Sequence, residues 1–396
     1  MSCKRTPNVS EVLVVGAAAA GLTTADALRR KGFDGSMTVL GAETHPPYDR
    51  PPLSKQVLAG QWEAERTSLR SPEALDELDA EFLLGDPAVA LDAATRTLRT
   101  ESGRELRADS IVVATGVRPR RLPGQDGLAG VHVLRTLDDS VALRADLLAA
   151  KRLVVVGEGV LGSEIAATAS GMGLDVTLTG PLAAPMAAQL GPEAAAALGE
   201  LHTDRGVRLR LGAAVDGLIG DGGQVSGVRL AGGEVLPADV VVVAIGADPV
   251  TGWLEGSGLR LDRGVVCDSR CRAADGIYAV GDVARWEHPE FGVIRLENRT
   301  NAGEQAMAVA DNILGEDRAY RPVPYFWTDQ FDAKIHVYGV LSPDDEVTVV
   351  EGDRAERRFV ELHHRDGRAV GVLGWNMPKQ TRQHRKALVE ALTAGA

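Results

Sequence analysis

Cysteine is scarce in this chain of 396 residues, occurring only as Cys3, Cys267 and Cys271. Three thiols, one of them far from the other two, are too few for a disulfide framework, and without a Cys-x-x-Cys pair there is no redox dithiol or zinc site of that kind. Cys267 and Cys271 lie in Val265-Val-Cys-Asp-Ser-Arg-Cys, which alternates like a strand entering a turn, so packing is their expected role. The eight histidines are scattered, with no His-x-x-x-His and no carboxylate cluster around them, and no metal site is expected. Positive charge is short too. The net charge of −12 argues against a general affinity for nucleic acid or anionic membrane surface. No run reaches the apolar length of a membrane span, and Met1-Ser-Cys-Lys-Arg-Thr-Pro leads into no hydrophobic signal segment, so the chain is read as cytoplasmic.

What is present is a soluble composition, 44% hydrophobic and 25% charged, on a chain long enough for two or three domains. Two glycine turns stand out: Val12-Leu-Val-Val-Gly16-Ala-Ala-Ala-Ala-Gly21 and Leu153-Val-Val-Val-Gly157-Glu-Gly-Val-Leu-Gly162. In each, an apolar run short enough for a buried strand meets a small-residue turn, and an alanine-rich helical pattern follows. The strand fixes the turn, the small residues let the backbone approach a pyrophosphate, and the helix N-terminus presents unpaired N–H groups to its charge. A tight crossover alone can also require such a turn, but two copies in the same context point to two dinucleotides. The first copy has Ala18 in place of the middle glycine, the smallest change available, and binding is expected to survive it.

The two copies also end alike. Asp109-Ser-Ile-Val-Val-Ala-Thr-Gly116 and Asp239-Val-Val-Val-Val-Ala-Ile-Gly246 read as closing strands of two similar units, so an internal duplication is expected. Between them, Val117-Arg-Pro-Arg-Arg-Leu-Pro-Gly124 reads as a linker. After the first cradle come a strand at Ser36 to Leu40 and a loop dense in proline and charge, with a helix start at Pro51 or Pro52. Ile277-Tyr-Ala-Val-Gly-Asp282 leads into a helical pattern ending near Leu314. Beyond Gly315, β-branched and aromatic runs at Tyr325, Ile335, Val347 and Arg358, then a helix from about Lys379 to Leu392, suggest a small α+β domain. The expected fold class is therefore α/β, two tandem Rossmann-like dinucleotide-binding domains plus a C-terminal α+β domain.

Pro47-Tyr-Asp-Arg-Pro-Pro-Leu-Ser-Lys55, Ala114-Thr-Gly116, Leu134-Arg-Thr-Leu-Asp-Asp139, Gly157-x-Gly-x-x-Gly162-x-Glu164, Ile277-Tyr-Ala-Val-Gly-Asp282 and Tyr325-Phe-Trp-Thr-Asp-Gln330 occur in one order over nearly the whole chain. In these motifs it resembles the FAD-dependent, NAD(P)H-oxidising ferredoxin reductases that serve cytochrome P450 and ring-hydroxylating dioxygenase systems. The resemblance implies a discontinuous FAD-binding domain (1–117 and 247–316), an NAD(P)H-binding domain (118–246) and the C-terminal domain (317–396). It implies that Gly16, Ala18, Ala20 and Gly21 hold the FAD pyrophosphate, with Ala114, Thr115, Gly116, Asp282 and Val283 also on FAD. Glu43 is the candidate for the adenosine ribose of FAD, with a solvated loop carboxylate as the alternative. Arg50 and Lys55 would meet flavin phosphate or ring, and Trp327 would line the isoalloxazine, although a lone strand aromatic also suits a core. Lys55 would lie beside flavin N5 and pair with Glu164, the two expected catalytic residues. Gly157, Gly159, Gly162 and Gly246 fall to NAD(P)H, and a ferredoxin is the implied electron acceptor.

The nicotinamide half departs from the family pattern. Gly180 ends the strand Leu174-Asp-Val-Thr-Leu-Thr, where the family usually has an acidic residue for the ribose, and Pro181 to Leu201 contains no arginine for a 2′-phosphate. Weak NADH preference follows, and Gly180→Glu is expected to tighten NADH binding. Glu158 stands in the cradle itself, where its charge opposes a pyrophosphate unless it turns outward. Arg299 replaces a tryptophan that the family commonly places where nicotinamide meets flavin, and a guanidinium there would stack on a ring or attract an anionic substrate. These changes leave open a flavin-dependent oxidase or dehydrogenase that tailors a small metabolite with a degraded nicotinamide site. Pro46 to Lys55 contains no cysteine, which weighs against the related disulfide reductases. Arg354, Arg357, Arg358, Lys379, Arg382, Arg385 and Lys386 are the candidate docking cations.

Overall fold

A computed structural model describes residues 9–393, with the side chains of the last three left aside. Cys3 and the Met1 to Pro7 start therefore lie outside the described residues. Packing divides the chain into two units. One draws on Met1–Asp49, Thr67–Arg118 and Asp248–Pro324, the other on Arg50–Arg66, Pro119–Ala247 and Tyr325–Ala396.

In the first unit the run Glu11–Val15 is buried on both faces because it lies inside a parallel sheet, between Ser36–Gly41 and Ser110–Val113. Ile277–Ala279 extends the sheet past Ser110–Val113, and Glu81–Leu84 pairs with Ser36–Gly41 at the other side. The helix Ala19–Arg30 follows the first cradle and presents Leu22, Ala25 and Leu28 to the core. The helix Arg299–Ile313 buries Ala302, Ala306, Val309 and Ala310, the positions expected from helical spacing. Pro51–Ser54 forms only a 3-10 turn, which starts at a proline as predicted but does not continue as an α-helix.

The second unit repeats the plan with Arg152–Val156 between Asp175–Gly180 and Val240–Val243. The duplication is visible atom by atom. The Asp109 carboxylate accepts from the Ser10 and Glu11 amides at 2.8 and 3.1 Å, and Asp239 accepts from the Lys151 and Arg152 amides at 3.1 and 2.9 Å. Each clips the closing strand to the opening one, and these bonds, with the Arg152 guanidinium first at Asp239, hold both carboxyls below the usual range. Residues 117–119 of the expected linker are themselves extended as a short strand.

The C-terminal segment forms a five-stranded antiparallel sheet covered by the helix Pro378–Thr393. One of its strands, Arg368–Trp375, is not signalled by β-branched runs. Gly371 and Gly374 interrupt it, because a Cβ at 374 would run into the Thr381 side chain of the covering helix and one at 371 into Leu341. The sheet shares a core with the helix Pro192–Asp204: Phe359, Leu373 and Trp375 pack with Ala194, Leu198 and Leu201. Cys267 and Cys271 are both buried as free thiols, and burial pushes both pKa values up, Cys271 to about 12. Packing is the role the structure gives them.

Candidate functional site

The first cradle depends on glycine at two positions. Gly16 has φ +123°, and a Cβ there would strike the Ala114 carbonyl, while one on Gly21 would strike the Gly16 carbonyl. Ala18 differs: its φ of −99° and ψ of −162° are extended backbone that an L-residue adopts freely. Gly159 holds the matching place in the second cradle at φ −73° and ψ −172°, and a Cβ there meets nothing within 4 Å. The alanine substitution therefore leaves the cradle's backbone intact.

Both cradles feed bare helix N-termini. Neither Ala19–Arg30 nor Val160–Gly171 has a side-chain cap or an acidic residue in its first turn. By contrast, the helix Leu137–Ala149 closes its own N-terminus with a capping box from Thr136 and Asp139. A helix start left without caps, behind a turn whose first and last glycines admit no Cβ, fits a bound pyrophosphate.

The other first-unit candidates surround that cradle. Gly281, with φ +71°, follows Ile277–Ala279, and a Cβ on it would lie 3.1 Å from that of Ala20, so Asp282 and Val283 start their turn beside the cradle helix. Gly281 N–H is fixed by Gln305 Oε1 at 2.8 Å. Glu43 accepts from the Tyr48 hydroxyl, so it is an anchored carboxylate rather than a freely solvated one. Thr115 donates its hydroxyl to the Val250 carbonyl at 2.9 Å, and Gly116 turns at φ +68°. Arg299 Nε donates to Asp49 Oδ1 at 2.7 Å, an ion pair that balances the guanidinium the sequence left unexplained.

In the second unit, the Glu164 carboxylate is 6% exposed and collects three donors. Oε2 accepts from Lys55 Nζ at 2.7 Å and Ser54 Oγ at 2.6 Å, and Oε1 from Thr328 Oγ1 at 2.8 Å. Lys55 is positioned because its segment is tied down: Thr168 Oγ1 donates to the Ser54 carbonyl, Ser140 Oγ to Leu53, and Arg50 Nη1 to Arg135. Behind Thr328 the network continues through Gln330 Nε2 at 3.1 Å, and Gln330 Oε1 meets His202 Nε2 at 2.8 Å. His202 is fully buried with Nδ1 unpartnered among the described residues, and burial pushes its pKa down. Sequence reasoning missed Asp49, Ser54, Thr328, Gln330 and His202. The available signal was Thr328 and Gln330, polar residues at alternate positions of Tyr325–Gln330, both on its buried side. Trp327, on the other side, is half-buried and stacks with Tyr325 at 6.0 Å between centroids.

The second cradle holds a surprise at Glu158. The side chain turns away from the glycine turn and lies over Gly180, where any Cβ would collide with its Oε2. Oε1 accepts from Leu182 N at 2.7 Å, and the Glu158 carbonyl accepts from Met186 N at 2.8 Å. The gain expected from Gly180→Glu therefore requires the Glu158 carboxylate, the flexible end of its side chain, to move out of the space the new side chain enters. Gly157 and Gly162 repeat the contacts of Gly16 and Gly21, against the Ala244 and Gly157 carbonyls, and Gly246 turns at φ +94°.

Two family models cover most of the chain, pyridine nucleotide-disulphide oxidoreductase over residues 10–306 and reductase C-terminal over residues 325–395. The chain is 37% identical to the probable ferredoxin reductase CtmF of Castellaniella defragrans, covering 91% of this chain and 89% of that protein. It is 34% identical to rhodocoxin reductase of Rhodococcus erythropolis, over 95% and 89% of the two chains. The reductase in the crystal structure of the covalent putidaredoxin reductase–putidaredoxin complex superposes with a TM-score of 0.92 at 32% identity, covering 97% of this chain and 94% of that one. With the tandem cradles, the Lys55–Glu164 pair and the C-terminal sheet all in place, the chain belongs to the pyridine nucleotide-disulphide oxidoreductases, in their ferredoxin reductase group.

Proposed function

We propose that this protein is an FAD-dependent reductase that takes electrons from NADH, in preference to NADPH, and passes them to a ferredoxin serving a cytochrome P450 or oxygenase. The observation that carries this reading is the pair of uncapped helix starts behind glycine turns, one in each unit. A bound flavin supplies the exchange between a two-electron donor and a one-electron acceptor. In this reading Gly16, Ala18, Ala20 and Gly21 hold the FAD pyrophosphate, Glu43 the adenosine ribose and Asp282 with Val283 the ribityl and phosphate end. Ala114, Thr115 and Gly116 flank the same nucleotide. Lys55 keeps a cation where negative charge develops on the ring, and Glu164, fixed by Ser54 and Thr328, holds that cation's rotamer. Arg50 and Trp327 are assigned to the flavin, Gly157, Gly159, Gly162 and Gly246 to the nicotinamide nucleotide.

In this reading the FAD-binding domain comprises 1–117 and 247–316, the NAD(P)H-binding domain 118–246 and the C-terminal domain 317–396. The preference for NADH rests on the lack of any arginine from Pro181 to Leu201 to meet a 2′-phosphate. Anaerobic stopped-flow mixing of the yellow protein with NADH and with NADPH tests the reading. Rapid bleaching by NADH, slower by NADPH, supports it, and no bleaching by either removes the nicotinamide donor. Acid release followed by chromatography should yield free FAD, one per chain; FMN or a protein-bound adduct would remove the FAD assignment.

A further inference from the structure

The second cradle contains a carboxylate with half of its bonding capacity unused. Glu158 is 4% exposed, and Leu182 N–H engages only Oε1. Oε2 has no hydrogen-bond partner among the described residues and lies over Gly180, the last residue of Asp175–Gly180. In dinucleotide folds the end of this strand is where an acidic side chain takes the adenosine ribose hydroxyls. Here that position has no side chain, and the carboxylate of the cradle's second residue fills the space a Cβ would take. The two departures are thus one arrangement: glycine at 180 makes room for Glu158, and Glu158 supplies the charge that residue 180 lacks.

We infer that Glu158 Oε2 accepts the adenosine ribose hydroxyls of the nicotinamide nucleotide, and that its charge discriminates against a 2′-phosphate. This rests on the proposed use of the second cradle for NADH. The chemistry favours it over a purely structural role. Anchoring Leu182 needs one acceptor, which a glutamine would supply equally well, whereas the second, unpartnered oxygen of a buried anion suits a sugar hydroxyl. The turn of the side chain toward Gly180 also removes the carboxylate from the uncapped helix start, where it would oppose the pyrophosphate.

The test is calorimetric titration of the flavin-loaded protein with NAD+, NADP+ and the adenosine 2′-deoxy analogue of NAD+. Glu158→Gln keeps the acceptor for Leu182 N–H and replaces the second oxygen with a donor. It should weaken NAD+ about tenfold, the loss of roughly one hydrogen bond to a charged group, while NADP+ binding stays level or tightens. The deoxy analogue should bind the native protein more weakly than NAD+, and should lose less affinity than NAD+ does in Glu158→Gln, because only its 3′-hydroxyl is left to meet Oε2. The exchange Glu158→Gly with Gly180→Glu should recover the NAD+ affinity, whereas Gly180→Glu alone should weaken it by crowding two carboxylates. Unchanged NAD+ affinity in Glu158→Gln, with the flavin spectrum and melting temperature preserved, would overturn the assignment. A native protein that binds neither nucleotide would instead overturn the proposed donor site, and this inference with it.

Discussion

Glu164 shows how much a single buried carboxylate can organise. Its partners come from the Pro51–Ser54 turn, from Lys55 and from Thr328, so removing the cation leaves a buried negative charge with only hydroxyl donors. Lys55→Met should therefore lower stability by about 3 kcal/mol, the usual cost of breaking a buried pair from one side. It should also slow flavin reduction by NADH at least about tenfold if the cation meets developing charge. Urea unfolding and stopped-flow traces read the two effects separately; an unchanged reduction rate would remove Lys55 from the chemistry. His202 gives a pH dependence of definite sign. Burial depresses its pKa, so below about pH 6.5 the unfolded chain binds more protons than the native one. Its contribution to stability is complete above that pH and declines as acid approaches the depressed folded value. His202→Gln should flatten the fall in urea midpoint between pH 7 and pH 5. An unchanged slope would transfer the effect to His288 and His336, which burial also depresses.

Helix starts separate into two kinds, and the difference is chemical. Leu137–Ala149 is closed by reciprocal bonds, Asp139 N to Thr136 Oγ1 at 3.1 Å and Thr136 N to Asp139 Oδ2 at 2.8 Å. Thr136→Ala should cost about 1 kcal/mol of unfolding free energy, measurable by urea titration, with nucleotide affinity unaltered. The helices after the cradles have no such closure to lose. This contrast was legible in the sequence because small residues and missing caps are local signals. The same holds for the closing strands, where Asp109 and Asp239 mark matching clips. Less legible was whatever depends on a neighbour distant in sequence. Arg368–Trp375 is a strand whose glycines are required by a helix packed against it, and Thr328 is polar because Glu164 lies across from it. The turn of Glu158 toward Gly180 belongs to the same class, since neither residue predicts it alone.

Across the molecule the charge is −12, so an acidic ferredoxin would have to be met by local cations. Of the candidates, Arg354 is bound to the buried Glu361 and Arg357 to Asp204, so their charge is largely matched within the unit. Arg358 remains exposed at the start of the strand Arg358–Arg365, and Lys379, Arg382, Arg385 and Lys386 on the helix Pro378–Thr393. Arg382→Glu should slow cytochrome c reduction through ferredoxin, most strongly at low salt, and leave NADH-driven ferricyanide reduction unaltered. Equal losses with both acceptors would relocate the defect to hydride transfer.

The strand order of the two cradle-bearing sheets also sets a timetable for synthesis. The second unit's sheet comes entirely from residues between Val131 and Val243, so its strands leave the ribosome in one stretch. The first unit's sheet must wait: Ser110–Val113 gains its outer partner only when Ile277–Ala279 emerges. Until then an apolar strand edge stays open, the condition under which nascent chains bind chaperones or aggregate. A chain truncated after Gly246 and released should therefore protect the later of these two sheets from proteolysis while leaving the earlier one sensitive, so that the segment made first is secured after the one that follows it.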